Sequence, residues 1–193
     1  SLWDISQLKA RKGFVQFPEF VHQALFSPNG EWLTANSDDK NIWLIPSDQL
    51  GNKEKSRQKL VTANGLTYDM AVSADSKWIA AVEYDSNIAD YNRVILASVD
   101  SAKKIFLSHD NEVINAVAFT PDNKQVVTAD ENGLIYVWDV ESGEKSYSLK
   151  TEGEILSIAV SPDGKYLVAG IKEGNHSIVW DLTTRKQVAS LEQ

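Results

Sequence analysis

Cysteine is absent from the 193 residues, which removes disulfides, thiolate nucleophiles and cysteine zinc centres together and fits a reducing, cytoplasmic setting. Positive charge is also in short supply. Nineteen Lys and Arg stand against 27 Asp and Glu, giving a formal net charge of −8. That is the wrong sign for binding driven by phosphate neutralisation or by anionic lipid, so neither nucleic acid nor membrane is expected as a partner. No apolar run approaches the ~18 residues that would span a bilayer, and the opening SLWDISQLKARKG lacks the apolar core of a signal peptide. Helical periodicity is missing throughout. GxSxG elbows, P-loops, GxGxxG turns, HExxH pairs and EF-hand spacings do not occur, so no enzyme activity and no cofactor are expected.

What is present is a repeat. The turn Phe119-Thr-Pro-Asp-Asn123 has three further copies, beginning at Phe26, Val72 and Val160, and successive copies lie 46, 47 and 41 residues apart. An apolar run precedes each turn, at 22–26, 68–72, 114–119 and 156–160. A second follows it, at 32–35, 78–84, 125–129 and 166–170. A third comes at 41–45, 93–99, 134–138 and 177–180, and a fourth, more polar one at 59–62, 104–107, 146–149 and 187–191. Their Val, Ile, Tyr and Trp content, punctuated by Asx-Gly and Asp-Asn turns, predicts short antiparallel strands and an all-β fold. Periods above 40 residues with four strands each point to propeller blades rather than to a helical solenoid.

The stretch from Leu107 to Asp139, LSHDNEVINAVAFTPDNKQVVTADENGLIYVWD, ends its third run in Trp138-Asp139 and carries His109 ahead of its first. It resembles one unit of the WD-repeat β-propeller family, and the chain as a whole resembles irregular, bacterial-type members. The resemblance implies a buried network linking a His, a Ser or Thr, an Asp and a Trp, because a buried indole N–H needs an acceptor. The matching positions read as His109, Thr128, Asn132 and Trp138, with Asn standing where Asp is usual. Elsewhere only Asp39 and Trp180 fall on network positions, with Ala35, Ile45 and Ala169 replacing the other members. The expected organisation is the end of one blade at 1–17, blades at 18–62, 63–107 and 108–149, and a final blade at 150–193, together one propeller or part of one. Leu2-Trp3-Asp4-Ile5 reads as a third strand and 14–17 as a fourth. About four and a half blades would leave unpaired apolar flanks, so the chain is expected to be a C-terminal portion of a longer propeller, covered by the remaining blades or by self-association.

The three histidines, His22, His109 and His176, lie in different blades and lack metal-site spacing. His22 reads as a strand residue and His176 as a turn residue, and the acidic pairs of the turns read as solvated. Trp3, Trp138 and Trp180 are expected in the core at the third-strand position. Trp32 and Trp78, at the first position of strand two, are expected to be blade-packing residues, and Trp43 to replace the third-strand Trp in the core. The resemblance implies partner binding by the loops before strand one and between strands two and three, which gives Phe20, Leu66, Ile88, Asp90, Tyr91, Asn111, Glu112 and Glu152. The function so implied is a non-catalytic protein–protein interaction scaffold. The alternatives are a sensor or regulatory propeller of a bacterial signalling protein with an NTPase, kinase or protease-like effector and, further off, a propeller of a peptidase or Tol-like system.

Overall fold

A computed structural model describes residues 17, 19–50, 57–84, 92–109, 112–174 and 176–192, with backbone alone at 3–4, 9–10 and 192. The chain is all-β. A two-residue pair, β1 (Trp3–Asp4) with β2 (Lys9–Ala10), precedes four antiparallel sheets of four strands each. The expected strand at 14–17 falls almost entirely outside the described residues, and the strand seen beside Trp3–Asp4 is Lys9–Ala10 instead.

The first sheet contains β3 (Val21–Phe26), β4 (Trp32–Ser37), β5 (Asn41–Pro46) and β6 (Gln58–Thr62). The second contains β7 (Leu66–Val72), β8 (Trp78–Tyr84), β9 (Asn92–Ser98) and β10 (Lys104–Ser108). The third contains β11 (Ile114–Phe119), β12 (Gln125–Asp130), β13 (Leu134–Asp139) and β14 (Lys145–Lys150), and the fourth β15 (Ile155–Val160), β16 (Tyr166–Ile171), β17 (His176–Asp181) and β18 (Lys186–Glu192). Each is a meander in sequence order, as its short turns require. The strands begin and end within two residues of the runs read from the sequence. His176, expected in a turn, instead opens β17, where its backbone pairs with Glu192 of β18.

No sheet has a core of its own. Among the described residues, most buried apolar side chains fall in three clusters where sheets face each other. Trp32, Ile42, Leu44, Ile79 and Ile95 fill the junction of the first two sheets. Trp78, Leu96, Leu107, Ile114, Val126 and Trp138 fill the next, and Val127, Val137, Leu149, Leu167, Ile178 and Trp180 the last. Trp32 and Trp78, expected to be blade-packing residues, thus pack between blades. The far face of the fourth sheet repeats the same pattern: Val168, Val179 and Leu191 occupy the register positions of Val127, Val137 and Leu149. Leu149 is 6% exposed and Leu191 57%.

The turn between the first two strands is built the same way four times. A hydroxyl (Ser27, Ser73, Thr120, Ser161) accepts the N–H five residues on, at 3.1, 2.9, 3.0 and 2.8 Å. It donates to the Asn or Asp two residues on, at 2.7, 2.6, 2.7 and 2.5 Å. This closed turn explains the Ser/Thr-x-Asx pattern of the repeat.

The four innermost strands, β3, β7, β11 and β15, lie side by side and each carries a bulge near its start. Asp69, beside the bulge of β7, ties three of them together. One oxygen accepts the Val117 N–H of β11 at 3.0 Å and the other the Gln23 side-chain N–H of β3 at 3.5 Å. Burial pushes the Asp69 carboxyl above its ordinary value, although the N–H groups of Val117 and Met70 and the Gln23 amide oppose the shift. A folded-state pKa above the unfolded one means that the native chain holds this proton more tightly, so the contribution to stability is full at low pH and is lost as pH rises through the raised value. Asp69→Asn retains an oxygen for Val117 and, once the Gln23 amide turns over, offers an N–H to Gln23 Oε1, which is buried without a partner. The variant is expected to melt at or above the wild-type temperature at pH 7, the gap closing towards pH 4. Calorimetry across that range checks it, and a variant less stable than wild type at pH 7 would show the ionised carboxylate to be favourable.

Candidate interaction surface

The deepest polar cluster lies in the third sheet. Trp138 donates its indole N–H to Thr128 Oγ1 at 2.8 Å, and Thr128 Oγ1 lies 2.5 Å from His109 Nε2. His109 Nδ1 lies 2.9 Å from Asp130 Oδ2. A carboxylate can only accept, which places the His109 proton on Nδ1 and leaves Nε2 to accept the Thr128 hydroxyl. The other Asp130 oxygen accepts the N–H groups of Asn132 and Leu134 at 3.0 and 2.8 Å. His109, Thr128 and Asp130 are all 0% exposed, and the His109 ring stacks on Tyr136 with centroids 4.2 Å apart.

The fourth member of this network is therefore Asp130, not Asn132. Asn132 is exposed and its side-chain amide donates to Glu112. The expected Asn-for-Asp replacement disappears once the acid is placed at the end of β12 rather than in the turn after it. Behind it Gly133, at φ +81°, keeps the turn against the next loop, where a Cβ would meet Thr151 O at 2.6 Å.

Each other sheet solves the same problem differently. Glu83 occupies the register position of Asp130 in the second sheet and is likewise 0% exposed. One methylene longer, it reaches the loop backbone directly, accepting the N–H groups of Asn64 and, at 2.8 Å, Gly65. Arg93 Nε donates to its other oxygen at 2.6 Å, with the guanidinium 3.8 Å from the Phe106 ring centroid. In the first sheet Asp39 accepts from Ser37, from the Asn41 N–H at 3.0 Å and from the Trp43 indole at 3.2 Å. The Ser37 hydroxyl and these N–H groups hold its carboxyl below the ordinary value against the cost of burial. Trp43, expected in the core, is half-buried and serves as the donor that caps this turn. In the fourth sheet Trp180 was assigned to the network, but its buried indole N–H has no partner, because Ala169 stands where Thr128 stands in the third.

The fully buried members of these clusters, His109, Thr128, Asp130 and Glu83, are closed to a partner. What is open lies on the bulges and loops. The bulge turns His22, Tyr68, Asn115 and Leu156 out of the ladder at equivalent positions. Tyr68 and Leu156 are 50% and 52% exposed, and Phe20 beside them 78%. The His22 ring lies 5.5 Å from the Tyr68 ring, itself 6.3 Å from Tyr84, and His22 Nε2 lies 2.5 Å from Asp38. Of the expected partner-binding residues, Phe20 and Glu152 are exposed, Glu112 is half-buried against Asn132, and Leu66 is not in a loop but opens β7, paired with Tyr84. Ile88, Asp90, Tyr91 and Asn111 lie outside the described residues.

The family model of the WD domain, G-beta repeat, matches residues 16–45, 101–139 and 143–181, more than half of the chain. The chain belongs to the WD-repeat family. A U3 small nucleolar RNA-associated protein 18 homolog of Mus musculus is 32% identical over 171 residues, covering 82% of this chain and 28% of the relative. A protein LST8 homolog of Drosophila melanogaster is 28% identical, covering 69% and 39% respectively. The small ribosomal subunit protein RACK1z of Arabidopsis thaliana is 29% identical over 79 residues, covering 41% of this chain and 24% of the relative. The chain therefore spans well under half the length of these curated relatives. All three are eukaryotic and lend the bacterial-type expectation no support.

Thr128→Val keeps the shape of the side chain but strips the Trp138 N–H and His109 Nε2 of their partner, and is expected to destabilise by about 1–3 kcal/mol. Asn132→Ala should cost under ~0.5 kcal/mol, as for other surface changes. Ala169→Ser offers the orphaned Trp180 N–H an acceptor and should add about 0.5–1.5 kcal/mol. Urea unfolding of the three variants checks the assignment, and a larger loss for Asn132→Ala than for Thr128→Val would reverse it.

Proposed function

We propose that this chain is a non-catalytic WD-repeat scaffold that binds other proteins through the exposed side chains of its inner-strand bulges. The observation that carries this reading is the contrast between equivalent positions. Where the repeats share a structural task, as in the hydroxyl turn, the residue is held nearly constant. At the bulges it is His22, Tyr68, Asn115 and Leu156, four different chemistries presented side by side. His22, Tyr68 and Leu156 are exposed, and Asn115 is half-buried and donates to Ile155 O at 3.0 Å; a row of unlike side chains on a rigid frame suits selective recognition of an extended protein surface, with Phe20 and Tyr68 as aromatic anchors.

The net charge of −8 favours a protein partner with basic character over nucleic acid or an anionic membrane. Cytoplasmic residence belongs to the same proposal and is supported by a sequence without cysteine. The far face of the fourth sheet, with Val168, Val179 and Leu191 at positions that are buried in the third, suits a further sheet of the same kind.

The test is affinity capture from a eukaryotic extract with the wild-type chain and with Phe20→Ala/Tyr68→Ala/Leu156→Ala. These residues are exposed, so the variant should melt within a few degrees of wild type. It is expected to lose at least tenfold in capture of any stoichiometric partner. Equal capture by both chains, or turnover of a substrate by either, would overturn the reading.

A further inference from the structure

The three junctions between sheets are not alike at the end where the hydroxyl turns lie. At the first junction Ser76, the fourth residue of its turn, reaches back so that its Oγ accepts the Asn29 N–H of the preceding turn at 3.1 Å. At the second, Asn123 does the same from the equivalent position: its Oδ1 accepts the Asp75 N–H at 3.0 Å. At the third the equivalent residue is Gly164, which has no side chain to offer the Asp122 N–H. The space that a side chain fills at the other junctions is here an open cleft of about 320 Å³.

Its lining is mixed. Asp122 and Asp163 supply carboxylates, and each uses Oδ1 for its own turn. Thr183 and Arg185 supply donors, while Pro121, Leu182 and Tyr147 give apolar and aromatic walls. The Arg185 guanidinium sits 4.3 Å from the Tyr147 ring centroid. Donors and acceptors facing one small space select a group that is both. A carboxylate would meet two like charges, whereas a carboxamide can accept from the Asp122 N–H or Arg185 and donate to Asp163. At the second junction the Asn123 amide already supplies the accepting half of that solution, its Oδ1 taking the Asp75 N–H.

We propose that the cleft between the third and fourth sheets is a docking site for a partner protein's segment, which inserts an Asn or Gln carboxamide where Gly164 leaves its own chain without one. This site rests on the scaffold reading but lies at the opposite end of the sheets from Tyr68 and Leu156, so the two stand or fall separately.

The cleft can be closed without damaging the fold. Gly164 has φ +71° and Asn123 has φ +62°, so Asn is already accommodated in this turn, and a Cβ at 164 would meet only Pro121 Cδ at 3.6 Å. The test compares the wild-type chain with Gly164→Asn by amide NMR titration. The probes are three short capped peptides, Gly-Asn-Gly, Gly-Asp-Gly and Gly-Leu-Gly. The expected result is shifts at Asp122, Tyr147 and Gly164 with the Asn peptide, at least fivefold weaker with the other two. Gly164→Asn should lose at least tenfold in affinity for the Asn peptide while melting at or above the wild-type temperature. No shift at the cleft, equal response to all three peptides, or undiminished binding by the well-folded Gly164→Asn would overturn the proposal. Full partner capture by Gly164→Asn alongside its loss in the bulge variant would leave the scaffold reading intact and remove the cleft from it.

Discussion

A four-stranded antiparallel sheet has two faces and cannot bury either of them alone, and every other feature of this chain follows from how that is managed. Sheet faces sheet through Ile, Leu, Val and Trp, so three apolar clusters lie between sheets rather than within them. Stability in such an array comes from intrinsic sheet stability plus nearest-neighbour junctions. The junctions also carry polar seams. Asp69 joins β3, β7 and β11, and the turn residues Ser76 and Asn123 each reach the turn before them. These bonds fix the relative rotation of neighbouring sheets, which apolar contact alone, being non-directional, does not.

Strand positions were legible because they depend on local chemistry that repeats. The run of Ser or Thr, Pro or Ala, Asx and a left-handed fourth residue marks each turn, and apolar alternation marks what flanks it. The blade-locking network was half legible. His109, Thr128 and Trp138 could be named from the resemblance to a WD repeat, but the acid position fell on Asn132 because the turn is where the family pattern places it. Strand β12 runs one residue further than its apolar content suggests, ending on a buried Asp. A buried carboxylate at a strand end leaves no mark in hydrophobicity, so its partner histidine is the only clue to it.

Glu83 was invisible for a related reason. It lies in a run of otherwise apolar residues, Trp78–Tyr84, and nothing local says that it is buried rather than turned to solvent. Its justification is tertiary: two backbone N–H groups of the loop at 64–65 and the Arg93 guanidinium converge on it. A buried acid so surrounded is held by three donors, of which Arg93 alone supplies an opposite charge. The missing partner of Trp180, by contrast, could be read directly, since Ala169 has no atom with which to accept.

Repetition itself supplies the comparison from which function can be argued. Four copies of one unit in one chain show which positions the fold constrains and which it leaves free. The hydroxyl of the turn and the bulge of the inner strand are fixed by geometry, but the bulge side chain differs from sheet to sheet: His22 meets Asp38, Tyr68 faces Tyr84, Asn115 reaches Ile155 of the next sheet and Leu156 is exposed. The fourth turn residue sits between these cases, because a left-handed backbone admits Gly, Asn or Ser at little cost while only the last two can bridge a junction. Gly164 satisfies its own turn as well as Asn123 does. It differs only at the junction, and so the choice of residue at this position concerns what occupies the space between sheets rather than how either sheet is made.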